Sequence, residues 1–426
     1  MNSHEIGSRN PKRSSDILRF IDQVEKTLAS SGKFGRFGGI VVPETLITCL
    51  KKLEAEFNLV LHDPEFQNEL SIALKDYLGR ETPLYLVERL TNYYKNENGE
   101  GPKIYLKRED LTYGGAHKIN NAIAQAMLTK RMGRKIIVTT TGAGEHGVAT
   151  AAACAKLGLD CTIFMGNKDM ERQPSNVHLG AQVKSMFGTF KDATSEAIRN
   201  WVENLEGSYY LAGTTVGPHP FLSMVREFQT VIGKETREQA MEKCGGKPDV
   251  LVSCVRSGLN ALGLFQQFVR DENVRLIGVE AVGNGIDSGN HSATLAKGKV
   301  GVYHGTMSYR LQDDENQIIE PHSVRVGLEY LGVSPELSFL KDIGRAEFYS
   351  ATDEEALEAY TRLCRLEGIF PALEAAYALA YLEKLCPGLA NGTKVVVNCS
   401  GLGDKDAAMV FKYQQGKIKS GHKESN

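Results

Sequence analysis

From residue 103 onward the chain alternates short β-rich runs with helical patterns, and this rhythm constrains the fold more than any other feature. KIYLKRED (103–110) precedes a helical stretch at 117–131, KIIVTT (135–140) one at 147–157, and CTIFMG (161–166) one at 191–204. DVLVSC (249–254), VRLIGVE (274–280) and KVVVNCSG (394–401) continue the pattern, with helices predicted at 259–270, 353–367 and 373–386. Strands separated by helices call for parallel sheets covered on both faces. Ligands of such sheets bind where strand C-terminal ends meet helix N-termini, because free backbone N–H groups collect there. A site is therefore expected among TGAGEHG (141–147), RSGLN (256–260) and CSGLGDKD (399–406). Lys118, opening the helix in HKINNAIAQA (117–126), can reach the same cleft.

At 426 residues the chain is long for one core and suits two α/β domains. Its formal charge is -2 with basic residues spread throughout, which gives no nucleic-acid groove and no membrane-binding surface. No apolar run reaches the roughly 18 residues that cross a bilayer, so a soluble chain is expected. The eight cysteines form no CxxC pair, and reduced thiols are expected rather than disulfides or a metal centre. Arg9, Lys12 and Arg13 with nearby serines share part of a transit-peptide composition, but Glu5 and Asp16 break it. An intracellular setting, plastid stroma or cytoplasm, is the expectation. Residues 15–28 read as an amphipathic helix with Ile17, Phe20, Ile21, Val24 and Leu28 on one face.

LKREDLTYGGAHKINN (106–121), followed by GAGEHG, MERQ (170–173), GPHP (217–220), PALE (371–374) and SGLGDKD, resembles the β subunit of tryptophan synthase, particularly its plant-type members. The resemblance runs from FGRFGG (34–39) nearly to the C-terminus. It implies a two-domain α/β fold of the pyridoxal-phosphate type that joins serine to indole. The implied boundaries are an extension (1–33), an N-terminal domain (34–80 with 103–220), a C-terminal domain (81–102 with 221–415) and a tail (416–426).

The resemblance also implies residue roles. Lys118 matches the lysine that forms the Schiff base, a task suited to a primary amine whose pKa its surroundings lower. His117 and Thr214 match residues beside the cofactor phosphate, Ser400 the hydroxyl facing the pyridine nitrogen, and Glu374 a carboxylate near the ring. The loop Thr141, Gly142, Ala143, Gly144 to His146 matches the one whose amides hold the substrate carboxylate. Arg172 matches an arginine that pairs with an acid, here Glu329, when the site closes. A monovalent cation is a further implied ligand.

Three departures from the family pattern bear on mechanism. Thr140 stands where the family has a catalytic glutamate, and a general acid–base group is worth roughly 10²- to 10⁴-fold in rate. Glu145 replaces the glutamine of GAGQHG; a fixed carboxylate about 4 Å from a substrate carboxylate costs on the order of 4 kcal/mol at an effective dielectric near 20. The alternative is that Glu145 faces solvent or is protonated. In RSGLN, where the family has GGGSN, Arg256, Ser257, Gly258, Leu259 and Asn260 form the turn that should cradle the phosphate with backbone N–H groups. Losing two hydrogen bonds to a charged group there weakens the grip by about 3–6 kcal/mol. Arg256 either fills the cradle or takes the phosphate as a bidentate partner. Glu329 for aspartate, Ala375, Ala376 and Tyr377 in the PALE segment, and Leu402 for arginine are further changes, expected around the same cleft.

Segments that face the α subunit in this family are retained: Pro43 in VPETL, Lys191 in FKDA, and Arg199 two turns later. The leading expectation is a β-like protein impaired in making tryptophan, with cofactor binding weakened or lost. It would pair as a homodimer, dock an α-type subunit in an αββα assembly, and activate indole release from indole-3-glycerol phosphate. An active enzyme of altered substrate scope and an ordinary tryptophan synthase β chain are the alternatives.

Overall fold

The computed structural model describes residues 14–167, 170, 179–289, 291–319, 321, 323 and 330–421. Its strands, in chain order, are β1 (Lys33–Phe34), β2 (Phe37–Gly38), β3 (Leu84–Leu86), β4 (Lys103–Lys107), β5 (Ile136–Thr140), β6 (Asp160–Gly166), β7 (Gln182–Met186), β8 (Ser208–Tyr210), β9 (Val250–Val255), β10 (Arg275–Ala281), β11 (Lys299–Tyr303), β12 (Thr306–Arg310), β13 (Glu347–Ala351) and β14 (Lys394–Asn398). A six-stranded sheet runs β13-β10-β9-β14-β4-β3, parallel except where β3 pairs β4. A four-stranded parallel sheet runs β7-β6-β5-β8.

Burial on both faces explains why the strands of the large sheet read as continuous apolar runs. Val250, Val252 and Cys254 of β9 and Val395 and Val397 of β14 enter one core, together with Tyr360 and Leu363 of the helix Asp353–Glu367. Leu251, Val255 and Val396 enter the core on the opposite face, as the period-2 alternation of a strand requires. The four-stranded sheet packs against a third core built from the helix Glu44–His62 and the helix Lys118–Arg131.

Strand β4 lies in the six-stranded sheet beside β14, from Lys103 opposite Lys394 to Lys107 opposite Asn398. The expected boundaries assigned it to the N-terminal domain. The reason is packing, since Ile104 and Leu106 complete one core of the large sheet and Tyr105 the other. The N-terminal helix Ser14–Ser31 buries Ile21, Val24 and Leu28 on that second core, whereas Phe20 is 40% exposed and leaves the predicted apolar face.

A small antiparallel sheet, β1-β2-β12-β11, had no counterpart in the sequence reading. Its β11–β12 hairpin turns on His304 (φ 46°) and Gly305 (φ 81°), with Tyr303 opposite Thr306. Two consecutive positive φ angles define a type I′ turn, which normally advertises itself as Asn-Gly or Asp-Gly. Met307 pairs with Gly38, so the hairpin and FGRFGG close one side of the cleft together.

Candidate active site

The ends of β5, β9 and β14 and the N-termini of four helices converge between the two parallel sheets. Lys118 opens its helix, Glu145 opens Glu145–Leu157, Leu259 opens Leu259–Phe265 and Leu373 opens Leu373–Ala380. The Lys118 amine is 3.4 Å from the Gly213 carbonyl oxygen. Burial, then the nearby Arg256 charge, brings its pKa down to about 8, against the pull of Glu145 and Glu374. His117 is buried, receives the Gln229 amide at 2.7 Å on Nδ1, and is held well below the usual imidazole range by burial and then by Lys118. Its backbone N–H donates to the Ser400 carbonyl at 3.2 Å. The Ser400 hydroxyl is 3.7 Å from Cys254 Sγ.

Glu145 neither faces solvent nor acts as a bare charge. Its Oε1 lies 3.0 Å from Lys405 Nζ, which is also 3.5 Å from Glu374 and 3.1 Å from Asp406. One ammonium thus serves three carboxylates, with Lys405 only 11% exposed. The same Glu145 oxygen is 3.2 Å from where a Cβ on Gly401 would sit, so it reaches fully across the cleft.

Arg256 stands where the RSGLN cradle meets the outer cavity. Its guanidinium lies 5.2 Å from the Phe190 ring and 5.4 Å from the Tyr330 ring, both within cation–π range. The Ser257 carbonyl accepts the Ser334 N–H at 2.8 Å. Leu259 is buried in the core that surrounds the Lys118 helix, while Asn260 donates to the Cys254 carbonyl at 3.1 Å. Gly258 keeps the turn, at φ 96°, where a Cβ would lie 2.4 Å from Leu337 Cδ1.

Thr140 is buried, with its hydroxyl 3.4 Å from both the Tyr210 and the Thr194 hydroxyls. Thr141 is buried, and Gly142, Ala143 and Gly144 (φ 88°) lead into the helix at Glu145. His146 accepts or donates through Nε2 to Thr139 at 3.0 Å, and burial, then Lys118, pushes its pKa down to about 3. Thr214 receives the Val216 N–H at 3.1 Å. A cavity of about 220 Å³ extends outward from Lys118, walled by Phe190, Ile198, Trp201, Tyr210, Phe221, His304 and Tyr330. A second space, of about 30 Å³, lies between Lys118, Glu145, Arg256, Ser257, Glu374 and Ser400.

A family model described as "Pyridoxal-phosphate dependent enzyme" matches residues 76–401, most of the chain. The chain belongs to that pyridoxal-phosphate dependent family. Among solved structures it is similar to a threonine deaminase from T.th. (20% identity over 83% of this chain and 97% of that one, TM-score 0.59). It is likewise similar to the processed form of threonine deaminase isoform 2 from Solanum lycopersicum (19%, 85% and 88%, 0.60). At such identities the likeness establishes the fold, the two-domain α/β architecture of this family.

The cofactor that gives the family its name is not accommodated by the side chains as they stand. The inner space measures about 30 Å³ and shares Lys118, Glu145, Arg256 and Ser257 with the outer cavity of about 220 Å³; one water needs roughly 10–15 Å³ on this measure. A substituted pyridine bearing a phosphate ester is many times larger.

The structure brings together Lys118, His117, Glu145, Arg256, Ser257, Gly258, Leu259, Asn260, Glu374 and Ser400 around this space. Thr140, Thr141, Gly142, Ala143, His146 and Thr214 line the outer cavity. Arg172 and Glu329 lie outside the described residues. Ala375, Ala376 and Tyr377, expected at the cleft, are fully buried; Ala376 and Tyr377 lie in the core of the six-stranded sheet, and Tyr377 donates to Asp353 at 2.5 Å. Ala375 and Ala376 lie roughly 100° and 200° around the helix from Glu374, whereas Tyr377, one turn on, packs in the large-sheet core with its hydroxyl on Asp353.

Lys405 is the residue the sequence reading missed. Its signal was available: an acid gained in a closed cleft requires a cation, and GDKD supplies one. The aromatic wall was also missed, although Phe190, Thr194, Ile198 and Trp201 recur at helical spacing along Phe190–Glu203.

Proposed function

We propose that this chain is a tryptophan-synthase-β-like protein, impaired in joining serine to indole, that docks an α-type subunit and activates its release of indole. The observation that carries this reading is the two-sidedness of the helix Phe190–Glu203. Phe190, Thr194, Ile198 and Trp201 line the cavity beside the altered loops, while Lys191 and Arg199 are exposed on the outer side. Arg199 is steadied by Glu196 at 2.7 Å, and a Thr189–Asp192 capping box fixes the helix start. Pro43 is exposed and also lines the cavity mouth. Exposed apolar side chains adjoin the docking residues in sequence, Val41 at 48% and Phe187 at 91%, and such surface marks a contact site when contiguous. A partner gripping this helix senses the state of the cleft through one rigid element. Activation requires only that the contact differ between two partner states. Two such chains would pair to carry two α-type subunits.

The test is the rate of indole formation by a matching α-type subunit with and without this chain. A saturable increase is expected, and Lys191→Ala should raise the concentration needed for half-maximal activation about tenfold, or ~1.4 kcal/mol. That shift should shrink as ionic strength rises. An unchanged rate at saturating chain would dismiss the reading.

One observation favours a second reading, a pyridoxal-phosphate-dependent lyase or deaminase of altered scope: the Lys118 amine, with a pKa of about 8, sits beside His117, Glu374 and Ser400. The structural neighbours are themselves threonine deaminases. Release of ammonia from serine or threonine that disappears in Lys118→Ala would establish that reading instead.

A further inference from the structure

Glu145 follows β5 of the four-stranded sheet, and Lys405 follows β14 of the six-stranded sheet. Their contact at 3.0 Å therefore joins the two lobes directly across the cleft. Lys405 extends the link to Glu374, the carboxylate expected beside a bound pyridine ring, at 3.5 Å. At the phosphate end, Arg256 and Ser257 replace two residues without side chains, and Leu259 is turned into the core. About 30 Å³ remains between Lys118 and Ser400.

We propose that the chain's own side chains take the place of the cofactor: the Glu145–Lys405–Glu374 cluster fills the ring seat and clamps the lobes together, and the RSGLN turn closes the phosphate seat. The protein then folds and holds its cleft closed without pyridoxal phosphate, and excludes it. Charge supports the assignment. A cofactor phosphate would bring roughly two negative charges to a space where the carboxylates of Glu145 and Glu374 already face the cations of Lys118 and Arg256. The Lys405 ammonium that could offset them is committed to three carboxylates at 3.0–3.5 Å. In a closed cleft, ions paired this closely are costly to separate.

The experiment is titration of the purified full-length chain with pyridoxal phosphate, read by visible absorbance and by borohydride reduction followed by peptide mapping. Wild type is expected to show no saturable aldimine band beyond that of Lys118→Ala, and no pyridoxyl label on Lys118, at cofactor concentrations up to about 1 mM, where binding energy is only about 4 kcal/mol. The variant Glu145→Gln/Arg256→Gly/Ser257→Gly should gain a Lys118-dependent band with affinity at least about a hundredfold tighter. A saturable band and a labelled Lys118 in wild type would overturn the proposal. So would a triple variant with wild-type circular dichroism that still takes no cofactor. Either failure leaves the docking reading standing, because indole release by the partner is measured separately.

Discussion

Glu109→Gln is expected to destabilise the chain by about 3–5 kcal/mol, the cost of breaking a buried ion cluster from one side. Glu109 and Glu235 share Arg80: its guanidinium contacts Glu109 at 2.7 and 3.0 Å and Glu235 at 2.6 and 2.7 Å. Lys107 adds a contact to Glu235 at 2.7 Å. Side-chain exposure is 3% for Arg80 and 0% for both Glu109 and Lys107, so water cannot screen the loss. Thr82 donates to Glu109 at 2.6 Å and Asn120 at 3.1 Å, and Asn120 lies in the first turn of the Lys118 helix. The cluster therefore sets where Lys118 stands. Burial alone would raise the Glu109 pKa, but Arg80 prevails and holds it at about 2, against 4.5 when unfolded. A depressed carboxylate contributes its stability above the unfolded pKa and loses it as pH falls through the folded one. The gap between wild type and Glu109→Gln should be full above pH 4.5 and close towards pH 2. Urea unfolding at several pH values measures this; a gap below about 1 kcal/mol near neutrality would remove the cluster from the account.

The second large effect concerns tryptophan formation. Supplied with serine, indole and excess pyridoxal phosphate, the chain is expected to make tryptophan at least about 10⁴-fold more slowly than a β chain carrying the catalytic glutamate. The Thr140 hydroxyl accounts for up to that factor alone, since among the described residues it exchanges hydrogen bonds with the Tyr210 and Thr194 hydroxyls at 3.4 Å and with no carboxylate. The repulsion expected from a bare Glu145 does not apply in full, because Lys405 offsets its charge at 3.0 Å. The closed inner space takes over that part of the loss. Thr140→Glu by itself should accordingly restore less than about twofold. Restoration to within tenfold by that single change, followed by tryptophan absorbance, would mean that the cleft is open after all.

What could be read in the sequence followed from local pattern. The strands β5, β6, β9, β10 and β14 were visible because a strand buried on both faces is an uninterrupted apolar run. The three loops that meet Lys118 were visible because parallel sheets place loops of that kind at one edge. The His304–Gly305 turn was hidden, because histidine is not a residue that announces a left-handed conformation. Membership of β4 in the large sheet depended on non-local pairing with β14, which no window around residue 103 encodes. The pairing of Glu145 with Lys405 was hidden for the same reason. The substitution at 145 was legible as a change of charge, and its meaning depended on which distant side chain met it. Tyr377 shows the opposite error: a departure one turn after Glu374 was assigned to the cleft, while its ring packs in the large-sheet core and its hydroxyl meets Asp353.

The most direct measurement follows the fate of indole when this chain is mixed with the α-type subunit proposed as its partner and given indole-3-glycerol phosphate, serine and pyridoxal phosphate. Indole should accumulate in proportion to substrate cleaved, and Lys118→Ala should leave both the rate and the product unchanged. Conversion of the indole to tryptophan, abolished by Lys118→Ala, would contradict the account.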